Sequence, residues 1–221
     1  MTGNDTTRRT RAPTDGVSTD SDREWFERLY VAAEGGGQPV PWDRGAPHYL
    51  LEGWVTERRV DGRGRRALVV GCGMGRDSEY LGGLGFATVA FDFSATAIDA
   101  VRRPFPRSPV EYRVADLLDP PPDWGGAFDL VLESLTVQSL PRELRAAAIA
   151  RVRGFVAPGG TLLVIAAVEE QGPDRPDGPW PLTRAEVASF AGGGLELVEL
   201  GDFRDADAHR WRAQLRRGPA A

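Results

Sequence analysis

Ala67-Leu68-Val69-Val70-Gly71-Cys72-Gly73-Met74-Gly75 is the stretch on which the fold turns. Four consecutive apolar residues without polar alternation fit a strand covered on both faces. The run stops at glycines, and a helical pattern follows over Asp77–Leu84. The same grammar repeats downstream. Thr88–Phe91 ends at Asp92, Val110–Val114 ends before Asp116, and Phe128–Leu132 ends at Glu133. Thr161–Val168 follows a Pro158-Gly159-Gly160 turn. Helical patterns over Ser94–Arg103 and Arg142–Val156 lie between the runs. Strands alternating with helices predict an α/β fold, doubly wound around a mostly parallel sheet. Leu195–Leu200 and Arg210–Leu215, separated by a short connection, predict an antiparallel pair at the end.

Upstream of the glycine run the pattern is helical. Residues 1–20, rich in Thr, Asp, Gly and Arg, read as a disordered tail. Ser21 and Glu24 form a capping-box pattern, followed by Trp25, Phe26, Leu29, Tyr30 and Ala33 at helical spacing. Gly35-Gly36-Gly37 ends that helix, and Pro39-Val40-Pro41-Trp42 is expected to be extended. Leu50, Leu51, Trp54 and Val55 mark a second amphipathic helix. One domain over 21–221 is expected, with a helical lid at 21–60 and the α/β core at 61–221. Gln171–Trp180 reads as a loop, and Thr183 with Glu186 as a capping box before a short helix.

Composition narrows the function. The 221 residues carry a net charge of −5 and contain no lysine. An acidic chain without a dense basic run has no electrostatic footprint for nucleic acid. The single cysteine, Cys72, rules out an intrachain disulfide and any two-cysteine metal site, and no metal is expected. No segment reads as a signal peptide or a membrane span, so no membrane partner is expected and a cytoplasmic location is the default. A monomer or a homodimer fits equally.

Ligands of open parallel sheets bind beyond the carboxyl ends of the strands. Those ends carry Gly71, Gly73 and Gly75, then Asp92, Asp116, and Glu133-Ser134. Glycines allow close backbone approach and open a helix N-terminus. Asp92, twenty-one residues after Gly71, is placed to accept from both hydroxyls of a ribose. Asp116 is placed to accept from an adenine amino group. Each residue alone also reads as a turn or cap residue. The spacing is Gly-x-Gly-x-Gly and position 76 is Arg, so the third glycine of a dinucleotide site is missing. A nicotinamide-dependent oxidoreductase is therefore the weaker reading.

Gly71–Gly75 (GCGMG), Ala90–Ser94 (AFDFS), Val114–Leu118 (VADLL) and Pro158–Leu163 (PGGTLL) resemble motifs of class I S-adenosylmethionine-dependent methyltransferases. The resemblance covers about residues 21–216. It implies a Rossmann-like, seven-stranded sheet with the last strand antiparallel. It also implies S-adenosylmethionine as cofactor and S-adenosylhomocysteine as product. On these motifs the cofactor set is Gly71, Cys72, Gly73, Gly75, Asp92, Phe93, Asp116, Leu117 and Glu133. Pro41-Trp42-Asp43-Arg44-Gly45, the apolar Val69, Gly178-Pro179-Trp180 and the segment from Glu133 to Arg145 resemble the thiopurine and thiol/halide branch. That narrower resemblance makes Trp42 a cover over the cofactor.

The reaction so implied is in-line displacement at a sulfonium methyl by a small-molecule nucleophile, with a thiol favoured and oxygen or nitrogen possible acceptor atoms. Positioning supplies most of the catalysis, so no base is strictly required. Arg145 is a candidate to favour a thiolate, or else a helix arginine in a salt bridge. His48 is a candidate base, or else a cap at a helix start. Ser134, Thr136 and Gln138 are candidates for the acceptor wall, with Trp25 contributed by the lid helix. A cofactor-binding protein without methyl transfer, or one using the cofactor for another reaction, is the remaining alternative.

Overall fold

The computed structural model describes residues 19–36, 40–170, 179–206 and 208–220. Seven strands form one sheet in the order β3-β2-β1-β4-β5-β7-β6. They are β1 (Arg66–Val70), β2 (Ala87–Asp92), β3 (Glu111–Val114), β4 (Phe128–Ser134), β5 (Val156–Ala167), β6 (Leu195–Arg204) and β7 (His209–Arg217). β1 to β5 pair in parallel, while β7 runs antiparallel to both β5 and β6. The expected doubly wound α/β architecture with an antiparallel last strand is therefore present.

Helices cover both faces, which explains the unbroken apolar runs. Val69, Ala90, Leu132 and Ile165 share one core with Leu51 and Trp54 of α2 (Tyr49–Arg58), Leu81 of α3 (Arg76–Gly83) and Ile98 of α4 (Ala95–Arg102). Val70, Phe91, Val131 and Val164 share the other with Ile149 of α5 (Arg142–Gly154), Val187 of α6 (Arg184–Ala188) and the aromatic pair Trp124 and Phe155. Trp54 also donates from Nε1 to Gln214 Oε1 at 2.9 Å, which ties α2 to β7.

Several boundaries differ from the sequence reading, each for a local reason. α1 runs Thr19–Glu34, so Ser21 lies inside the helix and is not its cap. No glycine or proline at 19–20 breaks the helix. The remainder of the proposed tail, residues 1–18, lies outside the described residues, as do Pro39 and 171–178 of the expected loop. Pro41-Trp42 is not extended. The Asp43 amide donates to Val40 O at 3.0 Å, closing a turn with proline at its second position, where the ring pre-sets φ. β5 begins at Val156, because Pro158-Gly159-Gly160 forms an irregularity within the strand: Phe128 pairs with Val156, then Leu130 with Thr161. β6 and β7 extend past the apolar windows because β6 is an edge strand with polar residues on its open side.

α6 starts with the expected capping box: Thr183 Oγ1 accepts from the Glu186 amide, and Glu186 accepts from the Thr183 amide. Arg145 completes it from α5. Its guanidinium is 3% exposed and donates to Glu186 Oε1 at 2.6 Å and to Trp180 O at 2.5 Å. Arg145 thus fastens α6 and the Pro179-Trp180 segment to α5. Arg145→Ala removes the counter-charge of Glu186 and the donor to Trp180 O. It is expected to lower stability by about 3 kcal/mol in urea unfolding, and Arg145→Lys to recover only part, since one ammonium lacks the fork that spans both acceptors.

Candidate functional site

The strand order reverses between β1 and β4, so the chain leaves the sheet in opposite directions there and opens a crevice. The glycine loop fills its floor. Gly71 sits at φ +59°, and a Cβ there would lie 2.5 Å from Thr136 Oγ1. That hydroxyl donates to Val70 O at 2.9 Å. Gly75 caps α3 at φ +75°, where a Cβ would meet Val101 at 2.3 Å and the Tyr112 hydroxyl at 2.6 Å. These two glycines let the protein's own side chains close on the loop. Gly73 faces the lid: the nearest atoms to a Cβ there are Trp42 Nε1 at 3.3 Å and Tyr30 Oη at 3.4 Å.

Asp92 ties the loop to β2. It is 4% exposed, and its carboxylate accepts from the Gly73 amide at 3.1 Å and the Ser94 amide at 3.0 Å. Burial pushes its pKa up to about 6, against the pull of those amides. Ser94 in turn caps α4 by accepting from the Ala97 amide at 2.9 Å. Phe93 follows Asp92, and Asp116 follows β3. Asp116 accepts from the Leu118 amide at 2.8 Å, and Leu117 beside it is buried. Burial also pushes the Cys72 thiol well up, which keeps it protonated. The ends of the neighbouring strands β2 and β3 thus carry two carboxylates, with Phe93 next to Asp92 in the chain.

α1 lies over this set. Arg23 donates to Asp116 Oδ2 at 2.5 Å and stands 5.5 Å from the Phe93 ring centre. Phe26 meets Phe93 at 6.3 Å and Trp42 at 5.4 Å, and Tyr30 meets Trp42 at 5.6 Å. Trp25 packs on Phe26 at 4.8 Å and remains 40% exposed, on the outside of this cluster. The turn carrying Trp42 is fixed from below. Arg76, the first residue of α3, holds Asp43 with two parallel bonds of 3.0 and 3.1 Å. The arginine that stands where a dinucleotide site needs a third glycine thus clamps the lid segment onto the helix after the glycine loop.

Beyond β4 the residues divide by task. Glu133 is fully buried; Oε1 accepts from the Thr136 and Val137 amides, both at 2.8 Å. Oε2 has no partner among the described residues, and burial raises the pKa to about 7. Gln138 is also internal: its Oε1 accepts from the Ala167 amide at 2.7 Å, and its carbonyl accepts from the Trp180 amide at 2.8 Å. It stitches β5 to the Trp180 segment. Ser134 faces α2 and bonds Asp77, whose Oδ1 also accepts from the His48 amide at 2.7 Å. His48 caps α2, accepting at Nδ1 from the Leu50 amide at 3.2 Å. Burial, then Arg210 and Arg44, hold its pKa down at about 4. Arg76, Asp77, Tyr30 and Arg210 were missed from the sequence. Only Arg76 left a signal there, as the residue breaking the glycine spacing.

Comparison with known proteins fits this geometry. Residues 68–164 match the family model described as a methyltransferase domain. Over 176 residues the chain is 27% identical to a 2-heptyl-1-hydroxyquinolin-4(1H)-one methyltransferase of Mycobacteroides abscessus, covering 76% of this chain and 75% of that protein. Among solved structures, Burkholderia thailandensis 1,6-didemethyltoxoflavin-N1-methyltransferase, with S-adenosylhomocysteine bound, superposes with a TM-score of 0.69 at 17% identity, covering 95% of this chain and 93% of that one. The [4+2]-cyclase SpnF superposes with a TM-score of 0.71 at 16% identity, covering 94% and 98%. Residues 68–164 thus match a methyltransferase domain, and the fold is shared with methyltransferases whose solved structures hold S-adenosylhomocysteine.

Glu133 and Asp92 titrate against the usual sign. A carboxyl whose pKa is raised on folding adds stability below its unfolded value, and that stability is lost as pH rises through the folded value. The ligand-free protein is therefore expected to weaken between about pH 3.8 and 7. Glu133→Gln keeps an acceptor for the two amides and removes the charge. It should raise stability at pH 8 by on the order of 3 kcal/mol and much less at pH 5, read from denaturant midpoints at both pH values.

Proposed function

We propose that this protein transfers a methyl group from S-adenosylmethionine to a small-molecule nucleophile. The observation that carries the reading is Asp92: a buried carboxylate at the end of β2, fastened to the glycine loop and flanked by Phe93 and Asp116. Asp92 is assigned to the ribose hydroxyls, Asp116 to the adenine amino group, and Phe93 to the face of the base. Trp42 and Tyr30, over Gly73, are assigned to the wall that excludes water. When bound, S-adenosylmethionine supplies a methyl group already activated on a sulfonium. Asp92, Asp116 and Phe93 would hold that group, and its methyl would be available to the nucleophile with S-adenosylhomocysteine as the leaving product. The chain's task is then alignment, worth up to about 7–11 kcal/mol in favourable systems.

Of the acceptor atoms, oxygen is preferred. A thiol acceptor would draw on Arg145 to hold a thiolate, and that guanidinium is engaged by Glu186 and Trp180. A hydroxylated heteroaromatic ring is the acceptor class suggested by the 27%-identical relative. Resemblance of the Pro41–Gly45 segment to the thiol/halide branch supports sulfur as the second reading.

Isothermal titration with S-adenosylmethionine and S-adenosylhomocysteine tests the first assignment, and absence of binding to both would sink it. Hydroxyl donors favour the ionised form of Asp92, so affinity for S-adenosylhomocysteine should rise as pH increases through about 6. Asp92→Asn should weaken binding by roughly tenfold or more at pH 8 and flatten that pH dependence.

A further inference from the structure

The second end of the crevice, over β4 and β5, is built differently from the adenosyl end. Ser134 of β4 pairs with Ile165 of β5, and Arg210 of β7 pairs with Ala167 two residues further along β5. Arg210 thus stands one rung closer to the strand ends than Arg212, whose guanidinium donates to Leu50 O at 3.5 Å and to Glu57 Oε2 at 2.7 Å. Arg212 is structural, because α2 and Glu57 take up its donors. Arg210 is not: NH1 donates to His209 O at 3.0 Å, while Nε is buried without a partner. Arg44, on the segment that carries Trp42, interacts electrostatically with both Arg210 and His48, and so does the Asp205 carboxylate.

His48 is fixed in one role by the helix it caps. Nδ1 receives the Leu50 amide, so the neutral ring carries its proton on Nε2. As a base the ring would have to give up the cap. As it stands it is a donor, stacked on Tyr49 at 4.9 Å, at the positive end of α2. The acids nearby are already engaged. Asp77 accepts from the His48 amide and the Ser134 hydroxyl. Asp205 accepts from the Ala208 amide at 2.7 Å and the Tyr49 hydroxyl. Arg210, Arg44 and Asp205 thus all lie within electrostatic reach of the His48 ring at the head of α2.

Resting on the methyl-transfer reading above, we infer that the acceptor is a small oxygen acid, bound as its anion by Arg210, Arg44 and His48. Its hydroxyl loses its proton to water before binding, so no base is needed within the site. An anionic oxygen lone pair then bonds to the methyl carbon as the carbon–sulfur bond breaks onto sulfur. Anion and sulfonium are both neutralised. Arg210 and His48 are positioning residues in this scheme, since they hold the nucleophile and take no proton.

The test uses the full chain saturated with S-adenosylhomocysteine, titrated with two probes of one shape. These are 1-hydroxyquinolin-4-one, at a pH where its hydroxyl is ionised, and quinolin-4-one, which lacks that hydroxyl. The ionised probe is expected to bind about tenfold or more tightly than the neutral one. Arg210→Gln should abolish most of that preference, and Arg210→Lys should restore part of it. Both variants should keep wild-type affinity for S-adenosylhomocysteine, which also reports that they fold. Equal affinity for the probes, tighter binding of the neutral one, binding of neither, or a preference intact in Arg210→Gln each overturns the inference. If S-adenosylhomocysteine fails to bind the wild-type chain, the methyl-transfer reading fails and this inference falls with it.

Discussion

One carboxylate holds the crevice together. Asp92 receives the amide of Gly73 on one oxygen and that of Ser94 on the other. Through the first it fixes the loop after β1; through the second it fixes the turn into α4, which Ser94 then caps. Two loops from adjacent strands are thereby set at one distance. The cost is a buried carboxylate with a raised pKa, offset by charge-assisted bonds to backbone amides. Remove that side chain and both glycine loop and α4 lose their common anchor, with the lid packed above them.

The lid depends on the same floor. Tyr30 and Trp42 rest on the one glycine of the loop that faces outward, and Asp43 is clamped to Arg76 where the loop becomes α3. Arg23 reaches Asp116 from the first half of α1. The Arg23 contact lands on Asp116, which the proposed reading gives to an adenosyl group, and the pair lies about ninety positions apart in the chain.

Much of this was legible in the chain. Runs such as Leu68–Val70 and Leu162–Ile165 are apolar on both faces because helices cover both faces, so the strands and their ends could be read directly. Asp92, Asp116 and the glycines followed from the strand ends. What could not be read were tasks set by distant partners. Arg145 reads equally as a thiolate partner or a salt-bridged helix arginine until α6 brings Glu186 to it, and Gln138 looks like a wall residue until Ala167 takes its side-chain oxygen. His48 offered base and cap alike; the Leu50 amide shows which nitrogen is spent. Arg210 was hidden inside an apparently ordinary strand, because only the β5 register puts it at the crevice.

Burial has also exchanged the customary duties of two residue types. Glu133 and Asp92 change charge at about pH 7 and 6, the range in which imidazoles ordinarily titrate, while His48 is held neutral down to about pH 4, in carboxylate territory. The cations that line the crevice are arginines, since the chain contains no lysine, and arginine charge does not vary over that range. Moving from an acidic to a neutral medium therefore leaves the arginines of the crevice constant and adds negative charge at its base. At this crevice the buried acids are the proton-responsive groups, and His48 is a fixed dipole.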